Sequence, residues 1–229
     1  MQKLYFKSGQ EVKNRDRELY LGGQIRAQYN TNYGNGRRVA LGEASYKDLK
    51  RFLLDCKLSP YSKFQIYFAC IATVVLSGLE TLNITLRDIH RLQTFEHRTI
   101  RRILRIPASM ISHISNDIVI TRSRVECCLP NLLLKRKLQL LGHLIRASPK
   151  DPTRIVCLEP TRGISVRKLP QGFQRRGYRS TELWFERVKG QIPKDLNLTL
   201  ASDRAEWRNV IQRRCEGARS RWVFEGRTR

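Results

Sequence analysis

Along most of this chain the apolar positions return every three or four residues, the spacing of helices that bury one face. From about Arg38 to Lys57 the positions Leu41, Ala44, Leu49, Phe52 and Leu53 predict a first helix directed at a core by those side chains. Ser59 and Pro60 then restart the chain as N-cap and first helical residue, opening a helix that runs to about Ser77. Its sequence is apolar nearly all round, which suits the central member of a bundle. The third segment, residues 85–105, TLRDIHRLQTFEHRTIRRILR, divides into two sides at about 100° per residue. Leu86, Ile89, Leu92, Phe95, Ile100, Ile103 and Leu104 make its apolar stripe, while Arg87, Arg91, Arg98, Arg101, Arg102 and Arg105 gather on the other side. Thr85 is placed to cap this helix, with Asp88 standing in for the usual Glu or Gln of a capping box, and Pro107 is expected to close it.

On either side of these helices the pattern changes. Leu4-Tyr5-Phe6 and Glu18-Leu19-Tyr20-Leu21 are short β-prone runs separated by Ser8-Gly9, and Gly22-Gly23 stops the second, so a short N-terminal β-hairpin is expected. Residues 30–36, NTNYGNG, read as turn chemistry in a linker. Downstream, Pro130-Asn131 opens another amphipathic helix, with Leu133, Leu138, Leu141, Leu144 and Ile145 on one side and Lys135, Arg136, His143 and Arg146 on the other. Residues 149–180 have little periodicity, and their string Gln174-Arg175-Arg176-Gly177-Tyr178-Arg179 reads as an exposed basic loop. Two short helices should close the chain, one carrying Trp184 and Val188, the other starting near Ser202-Asp203 and anchored by Trp207. The expected fold is mainly α: a hairpin and linker over 1–36, a three-helix bundle over 37–115, and a basic helical extension over 116–229.

Charge says what such a fold would meet. The chain carries 44 Lys and Arg against 20 Asp and Glu, a formal charge of +24, and repels itself unless it meets a polyanion. Six Arg on one helix face exceed what solubility needs, and guanidinium forks match phosphate oxygens. Arg87, Arg91, Arg98, Arg101, Arg102 and Arg105 are therefore candidate phosphate contacts. Lys135, Arg136, His143 and Arg146 continue the candidate surface, and Arg175, Arg176 and Arg179 add an exposed loop to it. No membrane partner is expected, because the apolar run from Phe64 to Leu79 is interrupted by Gln65 and Thr73 and is shorter than the roughly 20 residues a spanning helix needs. The N-terminus has no apolar signal segment, so secretion is not expected. The Cys and His residues are scattered without CxxC or CxxH pairs, which predicts reduced thiols and no metal site.

A set of short motifs stands in a fixed order along the chain: Tyr20-Leu21-Gly22; Leu58-Ser59 with Lys63 and Tyr67; Gly78-Leu79-Glu80-Thr81; Arg91-Leu92 with Phe95-Glu96-His97-Arg98 and Arg101-Arg102-Ile103-Leu104; Leu141-Gly142-His143-Leu144-Ile145-Arg146; and Asp203-Arg204 with Trp207-Arg208. In that order and spacing they resemble the C-terminal part of non-LTR (LINE-type) retrotransposon reverse transcriptases. The resemblance implies an end-of-palm hairpin with Tyr20, Leu21 and Gly22 in a primer-grip-like position, a helical thumb that grips the primer-template duplex, and a basic C-terminal extension. It also implies an RNA-directed DNA polymerase as the parent enzyme, acting in the nucleus with Mg²⁺ on element RNA. Cytoplasmic residence is the other possibility.

The chain departs from the family pattern at Leu82, where Trp is common, and at Tyr178, where Pro is usual. The polymerase reaction requires carboxylates that hold two metal ions, normally with an Asp-Asp pair, and no two Asp residues here are adjacent. No catalytic residue and no cofactor are therefore assigned to this chain, which is expected to be inactive alone unless another chain supplies palm and fingers. The charge alone would equally suit a structural RNA-binding protein of ribosomal type, and the non-functional product of a decayed element would have the same sequence.

Overall fold

The computed structural model describes residues 4–5, 11–12, 17–20, 23–26, 32–82, 84–123, 128–158 and 197–216. Its first long helix, α1 (Asn32–Leu53), begins inside the expected linker. The turn-prone residues there are held by a tertiary contact: the buried Asn35 donates from Nδ2 to the Asp88 carbonyl, 3.1 Å away. The buried side of α1 also differs from the expected one. Leu53 is buried and Leu41 and Leu49 half-buried, but Ala44 and Phe52 are exposed, and Gly42 and Tyr46 take the inward positions. Gly42 explains the rotation, since a Cβ there would lie 2.3 Å from Val75 Cγ2 and 3.0 Å from Phe95 Cζ. The helix packs closely because that position carries no side chain.

The second rod is built in three pieces: α2 (Pro60–Ile66), a π-helical turn (Tyr67–Ala72) and α3 (Thr73–Leu76). Ser59 caps it as expected, accepting the Ser62 amide at 3.1 Å. Phe64, Tyr67, Ile71, Ala72, Val75 and Leu76 are buried, whereas Gln65, Ala69, Cys70 and Thr73 are exposed, so this rod is central on one side only. Gly78 follows at φ 74, a left-handed conformation that glycine takes without a Cβ penalty, and a short 3-10 turn (Leu79–Thr81) leads to α4 (Leu86–Ile103).

At the start of α4 the full capping box forms: Asp88 N–H donates to Thr85 Oγ1 at 3.2 Å and Thr85 N–H to Asp88 Oδ2 at 3.1 Å. Its end comes before Pro107. Arg105 takes φ 56, its N–H bonds to the Arg102 carbonyl at 3.2 Å, and the Ile106 N–H bonds to the Arg101 carbonyl at 2.8 Å. That is a Schellman stop with Arg in the position glycine usually fills. Two short helices follow, α5 (Ser109–Ser112) and α6 (Asn116–Ser123), then α7 (Leu129–Arg146), α8 (Pro152–Leu158), a 3-10 turn (Leu198–Ser202) and α9 (Arg204–Glu216).

The fold is mainly α, but the expected N-terminal β-hairpin is overturned. Among the described residues, Leu4–Tyr5 and Glu18–Tyr20 do not pair with each other. Among the described residues, extended pairing is limited to two local antiparallel ladders, Leu4–Tyr5 with Glu11–Val12 and Arg17–Tyr20 with Gly23–Arg26. Each closes a short connection, which costs less entropy than joining the two runs across the segment between them. The two hydrophobic clusters found among the described residues lie in the helical body.

The larger cluster joins α1, the second rod and α4 through Leu53, Tyr67, Ile71, Val75, Leu92 and Phe95, and continues into Val119, Leu129 and Leu133. The core thus runs past residue 115 into α6 and the first half of α7. The smaller cluster gathers Leu138, Leu141, Ala201, Trp207 and Ile211 around the second half of α7.

Candidate nucleic-acid interface

The solvent-facing ridge of α4 holds Arg87, Arg91, Arg98 and Arg102, whose spacings of four, seven and four residues return to nearly the same side of a helix. Arg91 lies 3.6 Å from Asp88 Oδ1. The side chains of Arg98 and Arg102 are 55% and 40% exposed, and both turn toward one carboxylate on α1: Arg102 Nη1 is 2.7 Å from Glu43 Oε2 and Arg98 Nη1 is 3.4 Å from Oε1. The Arg102 guanidinium also lies 5.2 Å above the centre of the Tyr46 ring, a cation–π contact. Burial pushes the Tyr46 hydroxyl above its ordinary range, with Arg102 opposing and Glu43 adding to the shift. Two guanidiniums sharing one carboxylate leave a net positive charge. Lys47 and Lys50, four and seven positions beyond Glu43 on α1, are exposed and extend the basic surface.

Two of the expected contacts make tertiary hydrogen bonds within the fold. Arg101 is buried, with every arm of its guanidinium engaged: Nε and Nη2 donate to Asn116 Oδ1 at 3.2 and 2.9 Å, Nη2 to the Ile114 carbonyl at 2.6 Å, and Nη1 to the Pro107 carbonyl at 3.0 Å. The chain after α4 folds back over that edge of the helix and uses Arg101 as its anchor, so this residue holds a loop and does not face solvent. Arg105 lies beyond the helix and donates from Nη2 to the Leu54 carbonyl. It ties the end of α4 to the end of α1.

The basic residues of α7 form a separate set. Lys135 and Arg136 are half-buried, His143 and Arg146 exposed, and Arg146 Nη1 donates to the Ala201 carbonyl at 2.7 Å. The first amide of α7 reaches Glu96, which lies about 140° round α4 from Arg91 at 100° per residue. The start of α7 thus lies on a different side of the α4 axis from the Arg ridge. Tyr20 ends its ladder opposite Gly23. Leu21, Gly22, Arg175, Arg176 and Arg179 lie outside the described residues, as do Trp184 and Val188.

Sequence patterning did not single out the concavity beside the ridge. A cavity of about 360 Å³ lies between α4 and the loop that Arg101 anchors, lined by Thr94, His97, Arg98, Arg101, Arg102, Ile106, Ala108, Ser109 and Asn116. Burial, reinforced by the Arg101 charge and opposed by Asp117, holds the His97 imidazole below its ordinary pKa. Glu96 stood in the sequence only as a member of the Phe95-Glu96-His97-Arg98 motif, with no role attached to it. It is buried behind α4 and accepts the Leu129 N–H on both carboxyl oxygens, at 2.9 and 3.1 Å.

Among the described residues no group of three or more His, Cys, Asp or Glu side chains is placed to hold a metal ion. No described helix is long and apolar enough to cross a membrane. Comparison of the chain with protein-family models, curated proteins and solved structures finds no match.

Proposed function

We propose that this chain is the thumb and C-terminal part of a non-LTR retrotransposon reverse transcriptase, and that its own capacity is to hold a nucleic-acid duplex by its phosphates without reading sequence. The observation that carries the reading is the α4 ridge, where Arg87, Arg91, Arg98 and Arg102 stand on a rigid, capped helix. Guanidinium forks donate in pairs to phosphate oxygens, and their regular spacing fits a backbone better than a single small anion. Several motif residues behind the family resemblance also have defined structural work: Ser59 caps the second rod, Gly78 makes a left-handed turn, and Gly142 lies under Trp207. On this reading the parent is an RNA-directed DNA polymerase acting in the nucleus, and residues outside this chain hold its Mg²⁺ and deoxynucleotides.

Binding should release counterions, giving a log-log salt slope of about −0.9 per phosphate contact on B-DNA. Replacing Arg91, Arg98 and Arg102 together by Gln preserves helix propensity and removes charge. The slope against a duplex should fall by up to about three units, equally for unrelated sequences. Gln at Lys150, Arg204 and Arg208, exposed residues around the smaller cluster, is the charge-matched control. Equal losses from the two triple variants would reduce the ridge to one part of a generically basic surface.

A further inference from the structure

We infer that the cavity beside α4 receives the 5′-phosphorylated end of a nucleic-acid strand, with the terminal phosphate inside and the terminal base resting on the exposed pair Met110-Ile111. This rests on the reading of α4 as a nucleic-acid-facing helix and adds a specific end contact to it. Three observations point the same way.

The first is the charge and donor content of the walls. Arg98 and Arg102 stand one helical turn apart and share Glu43 on their α1 side, Arg101 lends its charge from the wall behind them with its donors already engaged, Ser109 contributes a hydroxyl and His97 an imidazole, and among the described residues no acidic side chain belongs to the lining. An internal phosphodiester carries one negative charge, whereas a terminal phosphomonoester carries nearly two at neutral pH. The more anionic group gains more from such a site.

The second is size. A water occupies about 30 Å³ of the liquid, so a space of about 360 Å³ takes a phosphate together with the sugar that bears it. A continuous backbone passes along a ridge, but a strand end can enter a recess. The third is the apolar pair. Met110 and Ile111 follow directly on the lining residue Ser109 and are 87% and 73% exposed. Two large apolar side chains left in water beside a cluster of cations suit a ligand that is anionic at one point and flat and apolar next to it. The last base of a strand, with nothing stacked on its outer face, has that character, and apolar side chains are known to cover or wedge against bases.

The test uses the full chain and two hairpin duplexes, identical except for a 5′-phosphate or a 5′-hydroxyl, each labelled in its loop and titrated by fluorescence anisotropy. The phosphorylated end should bind about tenfold more tightly, the effect of one charge-assisted hydrogen bond. Thr94→Leu fills the cavity mouth without changing charge, and Met110→Ser with Ile111→Ser removes the apolar rest. Each should bring the ratio toward one, with melting temperatures measured alongside to show that the variants are folded. A ratio of one in the unaltered protein overturns the inference while leaving duplex binding intact. Equal competition by a free nucleoside 5′-monophosphate also overturns it, because the occupant would then be a small nucleotide. Failure of the underlying reading looks different: neither hairpin would bind in a salt-dependent, saturable way.

Discussion

Glu96 on α4 caps the start of α7 from a distance, accepting the Leu129 amide on both of its buried carboxyl oxygens. Cys128, at the N-cap position, makes no side-chain capping bond, so the tertiary contact takes over that role. Burial raises the Glu96 pKa from 4.5 to about 8, against the opposing pull of the Leu129 N–H. The buried Tyr67 hydroxyl, without a hydrogen-bond partner among the described residues, is also pushed up, first by burial and then by Glu96 and Cys128. Between about pH 5 and 8 the folded chain keeps the Glu96 proton while the unfolded chain has released it. Stability should therefore be greatest at the acid end of that window, fall as pH rises, and level off above about 8. Glu96→Gln keeps an acceptor for Leu129 and removes the titration. The variant should lose most of this slope and gain on the order of 4 kcal/mol over the parent at pH 8, measured by urea unfolding at several pH values. An unchanged slope would place the titration elsewhere.

Arg101 makes the opposite kind of prediction from its neighbours. Its guanidinium holds Pro107, Ile114 and Asn116 together, and a lysine cannot reproduce a planar fork that donates in several directions at once. Arg101→Lys should cost about 2–3 kcal/mol, the scale of losing hydrogen bonds to a charged group. Arg98→Gln should cost less than about 1 kcal/mol, because its ion pair is exposed. Thermal melts of the two variants check this, and similar losses would mean that Arg101 is no more structural than Arg98.

Arg101 also shows where reading the sequence stops. Periodicity placed the helices because each buries one face, and it located the α4 cap because Thr85 and Asp88 are neighbours in sequence. It put Arg101 with the other Arg residues, since nothing local shows that the chain beyond Pro107 returns over that edge. Glu43 was invisible as the partner of Arg98 and Arg102 for the same reason: it lies on another helix. The expected hairpin failed because β-prone composition does not specify which run pairs with which. The buried face of α1 was misjudged because the closest approach in the bundle is made by Gly42, a residue that hydrophobic patterning ignores.

Gly142 is a second close approach, and it links two motif segments that are distant in the chain. A Cβ there would lie 2.3 Å from Trp207 Nε1 and 2.4 Å from Cδ1, while the indole donates to the Leu138 carbonyl at 2.9 Å. Trp207 is in the middle of the smaller cluster, so it cannot yield without losing that bond. Gly142→Ala should destabilise the packing of α9 on α7 by about 1–3 kcal/mol, the usual cost of overpacking, even though alanine is the better helix former. Hydrogen exchange across residues 204–213 should rise before that of α4. A variant as stable as the parent would show that the indole has room to move.

Glu43 occupies the two guanidiniums that the proposed interface most needs. Its carboxylate lies 2.7 Å from Arg102 and 3.4 Å from Arg98, so a phosphate reaching either Arg must compete with it. The side chains are solvated, and such pairs contribute about 0–1 kcal/mol to stability, so Glu43→Gln should barely change the melting temperature. It should, however, add one net positive charge to the ridge and release both forks. Duplex affinity should rise severalfold at low salt, and the log-log slope should steepen by up to about one unit for each additional phosphate engaged. The competing view is that Glu43 positions the Arg side chains for the backbone, in which case the same change lowers affinity and disorders them. Salt titrations of parent and variant against one RNA–DNA hybrid separate the two: tighter and more salt-sensitive binding means the carboxylate is a competitor, and weaker binding means it is a support.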